Sequence, residues 1–294
     1  MRILLTGKNG QVGWELMRSL ATIGHVAGLD RSMMDLSDPD SIRSAIRDLK
    51  PNLIVNAAAY TAVDKAESEP EPAFAVNGAA PGVMAEEAKR IDAAIIHYST
   101  DYVFDGTKKA PYTEEDTPNP VNVYGRSKLA GEQAVQAADV PYYIFRTSWV
   151  YGARGNNFLG TMLKLAKERD ELRIVKDQIS APTWSRTIAE ITAQILARSC
   201  LPHLSGPPNI METSGLYNLC AAGSTSWNAF ARAIFNITGP LQGDKQPRIT
   251  PIATSEYPTP ARRPLHTHLS TEKLEKVFGL TCPDWCDMLA LCLE

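Results

Sequence analysis

Tyr124 and Lys128 stand four residues apart in the run Asn122-Val123-Tyr124-Gly125-Arg126-Ser127-Lys128. On a helix that spacing places both side chains on one face. A lysine ammonium beside a phenol stabilises the phenolate, so the pair predicts a Tyr124 pKa drawn toward neutrality. Such a tyrosine can pass a proton to or from a carbonyl or alcohol oxygen. Thr100 closes an apolar run, Ala93-Ala94-Ile95-Ile96-His97-Tyr98-Ser99-Thr100, and can offer its hydroxyl to the same oxygen. Tyr-x-x-x-Lys by itself recurs by chance on solvated helices. A second motif gives it weight.

That motif is Gly7-Lys8-Asn9-Gly10-Gln11-Val12-Gly13, after the strand-like run Arg2-Ile3-Leu4-Leu5-Thr6 and ahead of a helical pattern of Val12, Leu16, Leu20 and Ile23. Glycines there let the backbone turn tightly and approach a pyrophosphate, which rests on the N–H groups of a helix start. The spacing is G-x-x-G-x-x-G. A second apolar run, Val26-Ala27-Gly28-Leu29, ends in Asp30, seventeen residues past Gly13. A ribose-reading carboxylate of a dinucleotide fold is expected about there. Arg31 follows and can pair with a 2′-phosphate, whereas Asp30 favours a free 2′-hydroxyl, so NADH and NADPH both stay open.

The elements that must position these groups alternate. Strands are predicted at 2–6, 26–30, 53–56, 93–98 and 142–146, and helices at 11–23, 39–49, 72–90 and 121–137. Continuous apolar strands of this kind are buried on both faces, as in a parallel sheet. The alternation predicts an α/β, Rossmann-type doubly wound sheet with its ligand at the carboxyl ends of the strands. Gly7, Asp30, Asn56-Ala57-Ala58-Ala59, Ser99-Thr100 and Thr147-Ser148-Trp149 all fall at such ends. Past residue 150 proline and glycine grow frequent and helices shorter, at 156–169, 184–199, 226–238, 271–278 and 284–293. Short strands are expected near 172–175 and 216–219. The division is therefore a dinucleotide-binding domain over 1–150 and a smaller mixed α/β substrate lobe over 151–294, with some segments returning to the first domain.

The 294 residues, 44% hydrophobic and 21% charged, allow a sizeable core. A net charge of −3 without a basic run argues against a dedicated nucleic-acid partner. No uncharged apolar stretch approaches the ~18 residues of a membrane span. Five scattered cysteines, with Cys282 and Cys286 not in C-x-x-C spacing, read as reduced thiols. With no basic-then-apolar leader, these features predict a cytoplasmic protein. His97 reads as a core histidine, and His266 and His268 as loop residues.

With both motifs placed, the chain resembles the extended short-chain dehydrogenase/reductases, and within them the dTDP-4-dehydrorhamnose reductase family. Besides the runs above, the likeness rests on Val55 to Asp64, Ser99 to Phe104, Ser127 to Glu132 and Arg146 to Tyr151. In the second half it rests on Gly155 to Phe158, Asp177-Gln178, Ala181 to Thr183 and Tyr257 to Pro264. The resemblance implies NAD(P)H bound through Gly7, Gly10, Gln11, Val12, Gly13, Asp30 and Arg31, with Asp35 and Leu36 near the adenine. Ala59, Tyr60 and Thr61 would line the nicotinamide side. Thr100, Tyr124 and Lys128 would be catalytic, with Tyr124 as general acid and Lys128 on the nicotinamide ribose. Thr100 and Asp101 would bracket the sugar, Trp149 would pack on it, and Arg262 and Arg263 would meet the nucleotide diphosphate. The implied reaction reduces dTDP-4-dehydro-L-rhamnose, a dTDP-linked 4-keto-6-deoxy sugar, in the last step of dTDP-rhamnose synthesis. A homodimer joined by Mg²⁺ is also implied, with Glu15 as a ligand and Glu190 and Glu294 as further candidates.

Two other activities occur among similar proteins. Sugar 4,6-dehydratases carry a glutamate where this chain has Tyr102, so dehydration is disfavoured. Epimerases reoxidise the sugar they reduce, and their sequences separate less cleanly. A regulatory, dinucleotide-binding subunit would be expected to lack the tyrosine or the lysine, and both are present.

Overall fold

Strands short, apolar and without alternation can be stable only where both faces are covered, and the chain supplies cover on each side. A computed structural model describes residues 1–200, 209–242 and 246–294. Five parallel strands, β1 (Arg2–Thr6), β2 (His25–Leu29), β3 (Leu53–Asn56), β4 (Ala94–Thr100) and β5 (Tyr142–Thr147), lie in the spatial order 2-1-3-4-5. A sixth, Gly215–Asn218, pairs in parallel with β5, so a segment of the second half completes the first sheet. The connecting helices are α1 (Gln11–Ser19), α2 (Pro39–Leu49), α3 (Val63–Ser68), α4 (Pro70–Phe74), α5 (Ala80–Arg90) and α6 (Val123–Ala137). A π-turn over Ala75–Ala79 joins α4 to α5, so 70–90 is one nearly continuous helical stretch.

Successive residues of each strand feed opposite cores. Ile3, Leu5 and Val55 pack with Leu16, Ile188 and Ile195, where the helix Ser185–Cys200 lies beside α1. Leu4, Ile54 and Ile144 pack with Ile42, Met84 and Val135 on the other face. The second lobe has its own core, in which Phe158, Leu172, Phe230 and Leu289 meet around the parallel pair Glu171–Val175 and Arg248–Ile252. Cys220, Cys282, Cys286 and Cys292 are free thiols. Among the described residues no helix is long and apolar enough to cross a membrane.

α6 carries the Tyr-x-x-x-Lys pair and is pinned at its start. Asn122 caps it by accepting from Gly125 N at 2.8 Å, and Glu67 of α3 accepts from Val123 N at 2.7 Å. A side chain at Gly125 would put its Cβ 2.2 Å from the Tyr102 carbonyl oxygen, so only glycine lets the helix lie against the turn after β4. Farther along, Glu132 takes Arg146 of β5 with both oxygens, at 3.0 and 2.7 Å, and both side chains are buried. Removing one partner of such a pair leaves a buried charge alone. We expect Glu132→Ala to lower the unfolding free energy in urea by ~3–5 kcal/mol. A loss under ~1 kcal/mol would mean the site rehydrates and the pair does not anchor α6.

Candidate active site

The glycine loop is built for close approach. Gly7 adopts φ +71, and a Cβ on it would stand 2.8 Å from Ala58 N; one on Gly13 would stand 2.1 Å from Gly7 O. The loop therefore has no room for side chains between β1, β3 and α1, and Gly10 serves as the cap position of that helix. A cleft of about 1020 Å³ opens at these strand ends, lined among others by Gly7, Gly10, Asp30, Asp35, Ala59 and Tyr60. Its size and glycine floor fit a dinucleotide. Arg31 and Leu36 also line it, while Gln11, Val12, Gly13 and Thr61 do not. The Gln11 side chain instead faces the second lobe, with its Oε1 accepting from Asn157 Nδ2 at 3.0 Å.

Asp30 sits where the second strand delivers it. Ser32 donates to Asp30 through both its hydroxyl, at 2.6 Å, and its backbone N–H, at 3.1 Å, and Lys8 Nζ lies 3.0 Å away. The Ser32 hydroxyl first and Lys8 next hold this carboxyl down to about 2. Lys8 was not singled out by its motif position, yet it brings a cation to the ribose-reading acid. Arg31 has an 84% exposed side chain and reaches the Asp35 carboxylate at 3.5 Å.

The loop after β3 is held by Asn77 of the π-turn, which accepts from Tyr60 N at 2.8 Å and donates to Tyr60 O at 3.0 Å and to Ser127 Oγ at 3.0 Å. Asn77 thus ties the cleft wall to α6. Sequence reasoning missed it because a π-turn within a helical pattern has no spacing signature of its own.

At the end of β4 the reactive groups gather. Thr100 Oγ1 accepts from Tyr102 N at 3.2 Å, donates to Asp101 Oδ1 at 3.1 Å and faces the Tyr124 hydroxyl. The Tyr102 and Tyr124 rings meet edge to face, with centroids 6.0 Å apart. Asp101 is buried, among the described residues no cation pairs with it, and Ser180 (3.2 Å) and Thr267 of the second lobe donate to its Oδ2. Burial pushes this carboxyl up to about 6. Both its oxygens accept from protein hydroxyls.

The expected lowering of the Tyr124 pKa by Lys128 is not found. Desolvation pushes the phenol up to about 12, with the Thr100 hydroxyl opposing. Lys128 reaches to β4, where its Nζ donates to Tyr98 O at 2.5 Å and lies 3.4 Å from His97 Nε2. Helical spacing gave the shared face correctly, but a four-carbon side chain can turn away from its neighbour. Burial brings this ammonium down to about 8.

A second cleft, of about 730 Å³, lies in the other lobe, with Gln178, Trp227, Tyr257, Thr259, Arg263 and Asp64 among its lining. Arg263 donates to Asp64 at 2.7 Å, while Arg262 is exposed and does not line the cleft. Trp149, at φ +44, lies flat on Trp227 with ring centroids 3.5 Å apart. Glu190 pairs with Arg186 at 2.8 Å, and Glu15 lies in the field of the same arginine. Among the described residues no three metal-ligating side chains come together.

Against known proteins, the family described as the RmlD substrate binding domain matches residues 1–294. A dTDP-4-dehydrorhamnose reductase of Burkholderia thailandensis is 51% identical, over 100% of this chain and 98% of its own. One from Escherichia coli K12 is 46% identical, over 97% and 94% of the two chains. A crystal structure of the Bacillus anthracis dTDP-4-dehydrorhamnose reductase in complex with NADP superposes with a TM-score of 0.90 at 32% identity, covering 99% of this chain and 98% of that one.

The Asp30 corner generates a prediction about the ribose. Asp30→Ala removes a hydroxyl acceptor and frees Lys8, so it should weaken NADH and tighten NADPH in a fluorescence titration. Arg31→Ala should weaken NADPH and leave NADH unchanged. A preference unaltered in both variants would take this corner away from the ribose.

Proposed function

The chain belongs to the RmlD substrate binding domain family, and from that membership we propose that Tyr124, oriented by Thr100 and served by Lys128, is the proton donor of its reaction. The protein is an NAD(P)H-dependent oxidoreductase that reduces the 4-keto group of dTDP-4-dehydrorhamnose in dTDP-rhamnose synthesis. The observation that carries the residue assignment is the meeting of the Tyr124 and Thr100 hydroxyls at the end of β4.

A bound nicotinamide supplies the hydride to C4. Gly7, Gly10 and Gly13 leave the backbone of the first loop bare for its pyrophosphate, and Asp30 and Lys8 meet the adenosine ribose. Tyr124 enters the reaction as a neutral phenol, because a group held near 12 keeps its proton throughout the physiological range. As the carbonyl oxygen gains charge it becomes a stronger base than the phenolate, and the proton moves from Tyr124 to it. Thr100, whose own proton goes to Asp101, presents its oxygen to the Tyr124 hydroxyl and orients it. Lys128, whose ammonium lies against Tyr98 O and not against the phenol, would serve Tyr124 indirectly by holding the nicotinamide ribose.

Substrate recognition falls to the second cleft. Trp227 and Tyr257 offer aromatic surface for a base, and Arg263 offers a guanidinium to the diphosphate, steadied by Asp64. Trp149 keeps one face for the sugar once the other is given to Trp227. Tyr102 stands where a dehydratase acid would, and its phenol is pushed above the ordinary tyrosine range by burial, so it cannot serve as one.

Two outcomes test this reading. Purified protein should oxidise one NAD(P)H per dTDP-4-keto-6-deoxy sugar; conversion of the sugar without added reductant would point to an epimerase. Tyr124→Phe should keep dinucleotide affinity within about threefold and lose roughly 10²–10⁴-fold in kcat. Turnover within threefold of the unaltered protein would move the donor role elsewhere.

A further inference from the structure

Beneath the reactive face runs a chain of buried polar groups that the reduction does not call for. The Ala58 backbone N–H donates to Thr6 Oγ1 at 3.3 Å, and Thr6 Oγ1 donates to Asn56 Oδ1 at 2.7 Å. Asn56 Nδ2 lies 3.1 Å from His97 Nδ1, and His97 Nε2 lies 3.4 Å from Lys128 Nζ. The four side chains are 2%, 1%, 0% and 2% exposed in that order. The chain crosses β1, β3 and β4 and ends on the catalytic helix.

Its direction is set at the outer end. A peptide N–H can only donate, so Thr6 accepts there and gives its own proton to Asn56 Oδ1, the one acceptor described for it. That fixes the amide with its nitrogen toward His97, and His97 Nδ1 must accept. Burial and the neighbouring lysine hold His97 well below its ordinary range, so the ring is neutral with a single proton. With Nδ1 as acceptor, that proton sits on Nε2, directed at Lys128. The opposite arrangement turns the amide round and leaves the Thr6 hydroxyl with donors on both sides and no acceptor.

We propose that His97 is a positioning residue for Lys128, locked by Asn56 and Thr6 into the tautomer that aims Nε2–H at the lysine nitrogen. A donor facing an amine favours its neutral form and disfavours the ammonium. The Tyr98 carbonyl accepts from Lys128 in either state. The other ionisable groups on the packed elements include Tyr124, Arg126 and Glu132 of α6, Tyr142 and Arg146 of β5, Asp101 after β4, Asp64, Lys65 and Glu67 of α3, and Glu86, Glu87, Lys89 and Arg90 of α5. None of these bonds Lys128 Nζ, and Glu132, which favours the ammonium, is occupied by Arg146. His97 thereby sets the alkaline edge at which Lys128 loses its charge.

The proposal rests on the catalytic reading only for its kinetic arm. In long-range ¹H–¹⁵N spectra of the labelled, cofactor-free protein, one of the five imidazoles should fail to titrate and show protonated Nε2 with bare Nδ1. Its absence in His97→Gln assigns it. A non-titrating ring protonated on Nδ1 would overturn the proposal, with or without turnover. In NAD(P)H oxidation, His97→Gln can turn its carbonyl toward the ammonium, so the alkaline limb of kcat should move up by about one pH unit, a tenfold change in proton concentration. KM for the sugar should stay within twofold. A downward or absent shift would overturn the tuning role, whereas no turnover by the unaltered protein would strike the catalytic reading and leave the tautomer result standing.

Discussion

An ammonium enclosed by protein must be compensated by whatever acceptor reaches it, and at Lys128 that is the Tyr98 peptide carbonyl, with an imidazole on the other side. No carboxylate is paired with it among the described residues. Much of the surrounding structure follows from that constraint. α6 has to be held against β4 closely enough for the side chain to reach Tyr98 O, which accounts for the glycine facing the Tyr102 carbonyl and for the cap by Asn122. The nearest acid on the same helix, Glu132, is withdrawn into a bidentate pair with Arg146. Its attraction reaches Lys128 through space, and it forms no contact that would hold the lysine away from a ribose.

Asp101 presents the complementary case, a carboxyl enclosed without a cation partner among the described residues. Three hydroxyls, from Thr100, Ser180 and Thr267, stand in for water. Hydroxyls stabilise a charge less than an ion pair does, so the group stays near 6 and its protonation is open around neutrality. Two of the three donors belong to the second lobe. The orientation of the Thr100 hydroxyl is therefore linked to where that lobe sits, and the linkage runs through a single side chain.

The strands of the first sheet were legible because each is a short uninterrupted apolar run, and the glycine loop because its spacing follows directly on one of them. The i, i+4 pair correctly placed Tyr124 and Lys128 on α6. What the sequence could not convey was where a flexible side chain goes once the backbone is set. Lys128 turned to β4 instead of toward Tyr124, and Asp101 turned to its hydroxyls. The strand Gly215–Asn218 lay among loop-rich segments, and its place beside β5 depends on a pairing seventy residues distant in sequence. Asn77 and Lys8 were invisible for a similar reason: their partners, Tyr60 and Asp30, come from other elements.

The two lobes meet through polar contacts of a consistent kind. Gln11 beside the first loop takes Asn157, Asp64 beside the third strand end takes Arg263, and Asp101 after the fourth takes Ser180 and Thr267. Each contact joins the carboxyl-end side of the sheet to the second lobe, and each lies next to a group assigned to one of the two reactants. Hydrophobic burial is non-directional and would tolerate sliding of one lobe on the other, whereas hydrogen bonds fix angle and distance. A hydride transfer needs its donor and acceptor carbons held close and aligned. An interface of directional contacts around the cleft supplies that alignment in a way that apolar packing farther back cannot.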